Sequence, residues 1–242
     1  MADPAADAPA APDAAMDAVT EAGDRPPSLP AIAIELAVED ERWAEALGGD
    51  GGLEALAAEA AALALVAAGV AAEGRSISVL FADDDTVARL NESFRGKAAP
   101  TNVLSWPAHE LRAEAEGRAD GARPSAPPPP ETDGPWGGEP DSLGDVALAW
   151  ETVAAEAEAQ GIALADHVRH LGLHGVLHLL GYDHERDGDA RLMEGLESEA
   201  LLAAGRADPY LAQSMPADET PGKIPKKARP RAGAKKARSD GR

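Results

Sequence analysis

Four short runs of β-prone residues, separated by segments of helical character, most constrain the fold of this 242-residue chain. In the first run, residues 31–38, apolar residues occupy every second position, which is typical of a strand with one buried face. The other runs are residues 76–82, 101–106 and 143–150. Strands that alternate with helices predict a single α+β domain, with a small mixed sheet of about four strands and about five or six helices.

Helical segments are expected between and after these strands. Residues 83–96 begin with acidic residues suited to capping and end at Gly96, a typical C-terminal stop. The other predicted helices are the stretch DERWAEALGGDGG, which ends in a glycine loop, and residues 53–72, 151–160, 163–180 and 189–204.

The composition changes at both ends of the chain and once in the middle. Residues 1–29 are rich in Ala, Pro and Asp and are predicted to be disordered, so the folded domain spans residues 30–212. A charged and then Pro/Gly-rich stretch at residues 108–141 predicts a flexible insertion in that domain, and residues 213–242 predict a disordered basic tail.

The charge of the chain is unevenly distributed. The formal net charge is −21, although residues 223–242 hold nine Lys or Arg and one acidic residue. A strongly acidic body disfavours broad, nonspecific binding to nucleic acids. The basic tail is open to two interpretations, a local contact with a polyanion or a solubilising extension.

The composition also excludes several chemistries. Because the chain has no cysteine, disulfides, thiolate metal sites and cysteine nucleophiles are all excluded. The acidic N-terminus lacks the basic and apolar regions of a signal peptide, and the apolar run at residues 60–72 is too short and alanine-rich to span a bilayer. We therefore expect a cytoplasmic protein without a membrane partner.

Five of the six histidines fall between residues 167 and 184, and three of them predict a metal site. His174 and His178 lie one helical turn apart on the same face. Gly181 offers a left-handed helix stop, and the returning chain brings His184 toward the two imidazoles. Three neutral nitrogens with a fourth position open are typical of a catalytic zinc site, although nickel or copper would also suit them.

Two neighbours of these histidines are candidates for supporting roles. His170 lies on the same helical stripe and could hold a ligand in place or carry a proton, although a plain position on the helix face is the commoner case. Asp183 could orient an imidazole or cap the turn, and both interpretations stay open.

The histidine spacing also occurs in metzincin proteases, where glutamate follows the first histidine and acts as the general base. Here that position is Gly175. Peptide hydrolysis by the metzincin route is therefore disfavoured.

The stretch HGVLHLLGYDH, residues 174–184, resembles the signature of the YbeY-type endoribonucleases, a family of bacterial rRNA maturation factors. Residues 78–107, 143–157 and 190–210 resemble further blocks of the family in the same order. The resemblance spans most of the chain that is expected to fold, and it leaves out both extensions and the insertion.

The resemblance implies a zinc-dependent, single-strand-specific endoribonuclease that matures the 3′ end of 16S rRNA and acts in ribosome quality control. Its partners would be the 16S rRNA precursor and the small ribosomal subunit. The resemblance implies His174, His178 and His184 as the metal ligands, with one Zn²⁺ per chain, and Arg95 as the catalytic arginine. Many family members have Asp at the position of Asn102 and Phe at that of Trp106.

Arg95 and Lys97 are the candidate RNA-binding residues. A guanidinium group can bind two phosphate oxygens at once, although Arg95 could instead serve only the carbonyls at the end of its helix. Attack on the RNA could come from a water activated at the metal or from the 2′-OH of the RNA itself. Two other function classes stay open, a zinc metallopeptidase-like hydrolase and a non-catalytic ribosome-assembly factor with a structural metal.

Overall fold

A computed structural model of the chain describes residues 29–130 and 140–211. Four strands in these ranges form one sheet in the order β1-β2-β4-β3. β1 and β2 are parallel, as are β2 and β4, whereas β3 is antiparallel to β4. The prediction of an α+β fold with a small mixed sheet is confirmed. The strands are β1 Ala33–Val38, β2 Arg75–Ala82, β3 Val103–Pro107 and β4 Asp141–Ala149.

Seven helices lie in the described part of the chain, one more than the largest predicted number. The extra helix, α4, is a single turn within the predicted insertion. The predicted glycine loop is also short, because Gly48 alone ends α1 in the left-handed conformation (φ 88°) and α2 begins at the next residue. The helices are α1 Glu41–Leu47, α2 Gly49–Ala68, α3 Asp84–Arg95, α4 Ala113–Glu116, α5 Trp150–Gln160, α6 Leu164–Leu179 and α7 Asp187–Ala203.

The larger core lies between one face of the sheet and helices α2, α6 and α7. Small residues bring α2 and α6 close together, since a Cβ added to Gly172 would lie 3.0 Å from the Cβ of Ala60. α2 has the length and hydropathy of a membrane span, but half of its most apolar window is buried within the fold. It is the central helix of this core, whose strand side chains include Ile77, Val79, Phe81, Val146 and Leu148.

The opposite face of the sheet is covered by α3. Val87 and Leu104 are buried there, and Leu90 and Trp106 pack beside them. Trp106 also meets the exposed ring of Phe94 edge-on, with ring centroids 5.2 Å apart. Trp106 therefore supports the packing of α3 on the sheet.

The segment after β3 differs from the flexible insertion expected at residues 108–141. Residues 108–130 follow a described path, and Leu111 and Ala113 are buried. The buried guanidinium of Arg75 donates to the carbonyl of Pro128 at 2.8 Å and pairs with Asp141 at 2.8 Å. Hydrogen bonds to its backbone thus hold this segment in place, although its composition is typical of a linker. Residues 131–139 lie outside the described residues, as do residues 1–28 and 212–242.

Gly175 sets the distance between α6 and the sheet. A Cβ at this position would lie 3.0 Å from Val146 Cγ1, 3.1 Å from Ser105 Oγ and 3.3 Å from Val103 Cγ2. The residue after His174 therefore faces the sheet and has no room for a side chain. This is the physical reason that a glutamate base cannot stand there.

We predict that Gly175→Glu lowers the free energy of unfolding by about 3 kcal/mol or more, because it forces a carboxylate into a tight apolar contact. Gly195→Ala is the matched control, since a Cβ at Gly195 in α7 meets open space. That change should raise the free energy of unfolding by roughly 0.5–1 kcal/mol. Urea denaturation measures both, and equal stability of Gly175→Glu and the wild type would contradict this packing.

Candidate metal centre

The end of α6 and the turn that follows place three histidines together. The N–H of Gly181 bonds to the carbonyl of His178, and the N–H of Tyr182 to that of Leu177, which is the Schellman pattern. Gly181 takes the predicted left-handed conformation at φ 83°. This reversal carries His184 back to the last turn of the helix.

The ring nitrogens of the three histidines converge. One nitrogen from each of His174, His178 and His184 lies within 4.8 Å of the other two. The Nε2 atoms of His174 and His178 are 3.1 Å apart. Two nitrogens on a tetrahedral zinc ion are separated by about 3.3 Å, so this spacing matches a shared metal ion.

The hydrogen bonds of two rings fix which nitrogen faces the centre. His174 Nδ1 lies 2.8 Å from a carboxylate oxygen of Glu197, and His178 Nδ1 lies 2.9 Å from the carbonyl oxygen of Tyr182. Both partners are acceptors, so in the neutral form of each ring Nδ1 carries the proton and Nε2 presents a lone pair. Neutral imidazoles whose second nitrogen is held by an acceptor are the usual form of metal-bound histidine.

His178 stays neutral at physiological pH. Burial, together with the charges of His174 and His184, lowers the pKa of His178 to about 3. The Nε2 atom of His178 therefore keeps its lone pair at neutral pH. A divalent cation can accept that lone pair, and the donor set of three imidazoles fits such an ion.

Glu197 in α7 is the supporting residue that the sequence analysis missed. Its side chain is fully buried and takes hydrogen bonds from His174, from His170 at 2.8 Å and from the hydroxyl of Tyr210. Burial by itself would raise the pKa of Glu197, but the bonds from His170 and His174 outweigh it and lower the pKa to about 2. The carboxylate is thus ionised. Burial, together with the charge of Glu197, raises the pKa of Tyr210.

The two predicted supporting residues have different roles. His170 bonds to Glu197 and so acts on His174 through that carboxylate. Asp183 accepts the backbone N–H of His184 at 2.7 Å, which shapes the turn. Of the two interpretations of Asp183, the structure favours the cap of the turn.

Arg95 lies beside the three-histidine group. It lines a cavity of about 100 Å³ together with His178, His184 and Arg112. Lys97, the other predicted RNA-binding residue, is exposed in the loop after α3 and is not among the residues that line this cavity. Arg112 was missed because it belongs to the segment predicted to be a flexible insertion.

Asn102 immediately precedes β3 and does not line this cavity. Its amide donates to Glu156 at 3.0 Å, and Glu156 also contacts His167 Nε2 at 2.9 Å. An aspartate at this position would put a second carboxylate against Glu156 and could not donate that bond. Asparagine therefore suits this position better than aspartate, because its amide can donate to Glu156.

Within residues 29–130 and 140–211, no further imidazole or carboxylate joins the group of His174, His178 and His184. The two residues predicted to have supporting roles, His170 and Asp183, are bonded to Glu197 and to the backbone N–H of His184. Three protein ligands are typical of catalytic zinc sites, whereas structural sites are usually closed by four.

Comparisons with known proteins agree on one family. The family described as Endoribonuclease YbeY matches residues 45–205 of the chain. A protein named Endoribonuclease YbeY from Ruegeria pomeroyi is 46% identical over 179 residues, which cover 74% of this chain and 98% of the relative. A protein of the same name from Dinoroseobacter shibae is 46% identical over 186 residues, or 77% of this chain and 94% of the relative.

We predict that Glu197→Gln weakens zinc binding about 10- to 100-fold, because the neutral amide no longer fixes the His174 tautomer as the carboxylate does. Glu199→Gln is the matched control, since Glu199 is exposed on the same helix. Competition with a chelator measures the affinity, and the absorption bands of bound Co²⁺ report the ligand geometry. Equal affinities of the two variants, both folded by urea denaturation, would contradict the role of Glu197.

Proposed function

The chain belongs to the Endoribonuclease YbeY family, and from this membership we propose that it is a zinc-dependent endoribonuclease that cuts single-stranded RNA. We propose further that it matures the 3′ end of 16S rRNA in the cytoplasm, acts in ribosome quality control, and meets its substrate on the small ribosomal subunit.

The observation that carries this proposal is the shared cavity of Arg95 with His178 and His184. Cleavage of a phosphodiester needs a group that activates the nucleophile and a positive group that meets the charge on the phosphate. The cavity combines a donor set for a metal ion with a guanidinium that can bind two phosphate oxygens.

Each residue of the centre has a defined task in this proposal. His174, His178 and His184 would hold Zn²⁺, and a bound Zn²⁺ would polarise a phosphoryl oxygen or lower the pKa of a water. Glu197 and the carbonyl of Tyr182 keep the Nε2 atoms of His174 and His178 directed at the centre. Arg95 would bind the scissile phosphate and neutralise the charge that develops there.

The acidic body limits where RNA can bind. The chain carries a net charge of −21, so contact with a polyanion must be confined to local positive groups. Arg95 would provide the positive charge at the cavity. The basic stretch at residues 223–242 would provide a second contact with rRNA.

We expect purified wild-type protein loaded with zinc to produce mature 3′ ends from a 16S precursor, as measured by 3′-end mapping. His178→Ala should abolish the products because the metal set is broken. Arg95→Ala should slow their formation roughly 100-fold or more, because the phosphate charge is no longer met.

Matched controls are His109→Ala and Arg89→Ala, which remove a histidine and an α3 arginine that do not line the cavity. Both should leave the products unchanged. Equal products from wild type, His178→Ala and Arg95→Ala would exclude this active site. Binding of the precursor without any cleavage would favour an assembly factor with a structural metal.

A further inference from the structure

Most arginines in the described part of the chain donate to a carboxylate, a hydroxyl or a backbone carbonyl. Arg118, for example, bonds to two carbonyls and Glu116, and Arg186 pairs with Asp189. Within residues 29–130 and 140–211, Arg95, Arg112 and Arg191 make no such bond. Two of these three, Arg95 and Arg112, line the cavity beside the histidine group. In an acidic chain, unpaired guanidinium groups that meet at one cavity indicate a site for an anion.

The backbone next to Arg112 is fixed against the histidine-bearing turn. Leu111 is buried, and its carbonyl oxygen lies so close to Gly181 that a Cβ there would be 2.2 Å from it. Arg118 donates to the carbonyls of Leu111 at 3.2 Å and of Gly181 at 3.1 Å. These bonds join the segment after β3 to the turn before His184. The backbone of Arg112 is therefore fixed at the edge of the cavity.

The charges around the cavity are balanced without a metal ion. Asp183 and Glu185 also line it, and their carboxylates offset the two guanidinium groups. A divalent cation bound by the three histidines would make the cavity positive. An anionic ligand would therefore be held by the cation and both arginines together.

We propose that Arg112 is a second phosphate-binding residue, which binds the RNA backbone from the side of the cavity that Pro107 and Arg112 line. This inference rests on the proposed function. Arg95 and Arg112 each offer a planar set of donors, so they can bind adjacent phosphates of one strand, or two oxygens of the same phosphate. The role assigned to Arg112 is substrate binding, and the metal centre is complete without it.

The test uses the full zinc-loaded chain and a fluorescent single-stranded RNA of about twelve nucleotides. Steady-state cleavage gives kcat and KM across a range of salt concentrations. Arg112→Ala should raise KM about 10- to 100-fold, the range expected for loss of a charge-assisted hydrogen bond, with a smaller effect on kcat. The slope of log KM against log salt should fall by about 0.7, the value for one phosphate contact on a single strand.

Two further variants isolate the cause. Arg112→Lys keeps the charge but not the planar donors, so it should restore the salt slope and recover only part of the affinity. Arg191→Ala removes an exposed, unpaired arginine outside the cavity and should match the wild type. Zinc content and urea midpoints should be the same in all variants, which separates RNA binding from damage to the fold.

The outcomes separate this inference from the proposed function. One outcome would overturn the role of Arg112 and leave the proposed function standing. In that outcome the wild type cuts RNA, Arg95→Ala is impaired, and Arg112→Ala has the KM and salt slope of the wild type. An equal rise in KM for Arg112→Ala and Arg191→Ala would also overturn that role, because the effect would be one of overall charge. If the zinc-loaded wild type cuts no RNA, both proposals fall.

Discussion

The contact of Gly175 with β3 and β4 is the constraint on which the candidate site depends. Because this residue has no side chain, α6 lies so close to the sheet that an added Cβ would fall within 3.3 Å of Val146, Ser105 and Val103. That contact fixes the height and rotation of α6, and so the face on which His174 and His178 project. Ser105 also lines the cavity, so the same contact helps to set the shape of the site.

A second support acts from the other side of α6. Glu197 of α7 is buried between His170, His174 and Tyr210, and it is ionised in a place from which water is excluded. A buried carboxylate without partners would be strongly destabilising, so its three donors are a condition of the fold as well as of the site. The same carboxylate therefore supports the packing of α7 on α6 and orients the imidazole of His174.

Local patterns were sufficient to predict most of the fold and the centre of the site. The period-2 alternation at β1, the glycine stops of α3 and α6 and the spacing of the three histidines are all properties of neighbouring residues. Glu197 and Arg112 could not be predicted in this way. Glu197 meets His174 only because two helices pack together, and Arg112 lies in a segment whose composition is typical of a linker but whose backbone is held by Arg75 and Arg118. The sequence shows that Gly175 replaces the glutamate base of metzincins. Its role in packing could not be predicted, because that role depends on contacts with the sheet.

The bond of Arg118 to both Leu111 and Gly181 makes the chain between β3 and Leu111 a bridge of fixed length. Only three residues separate the end of β3 at Pro107 from Leu111. Insertions or deletions in those three residues would shift the register of everything that borders the cavity on this side. Length changes beyond Pro128 leave this bridge and the bond of Arg75 to Pro128 intact, so they should be tolerated in homologous chains, whereas length changes between Pro107 and Leu111 should be selected against.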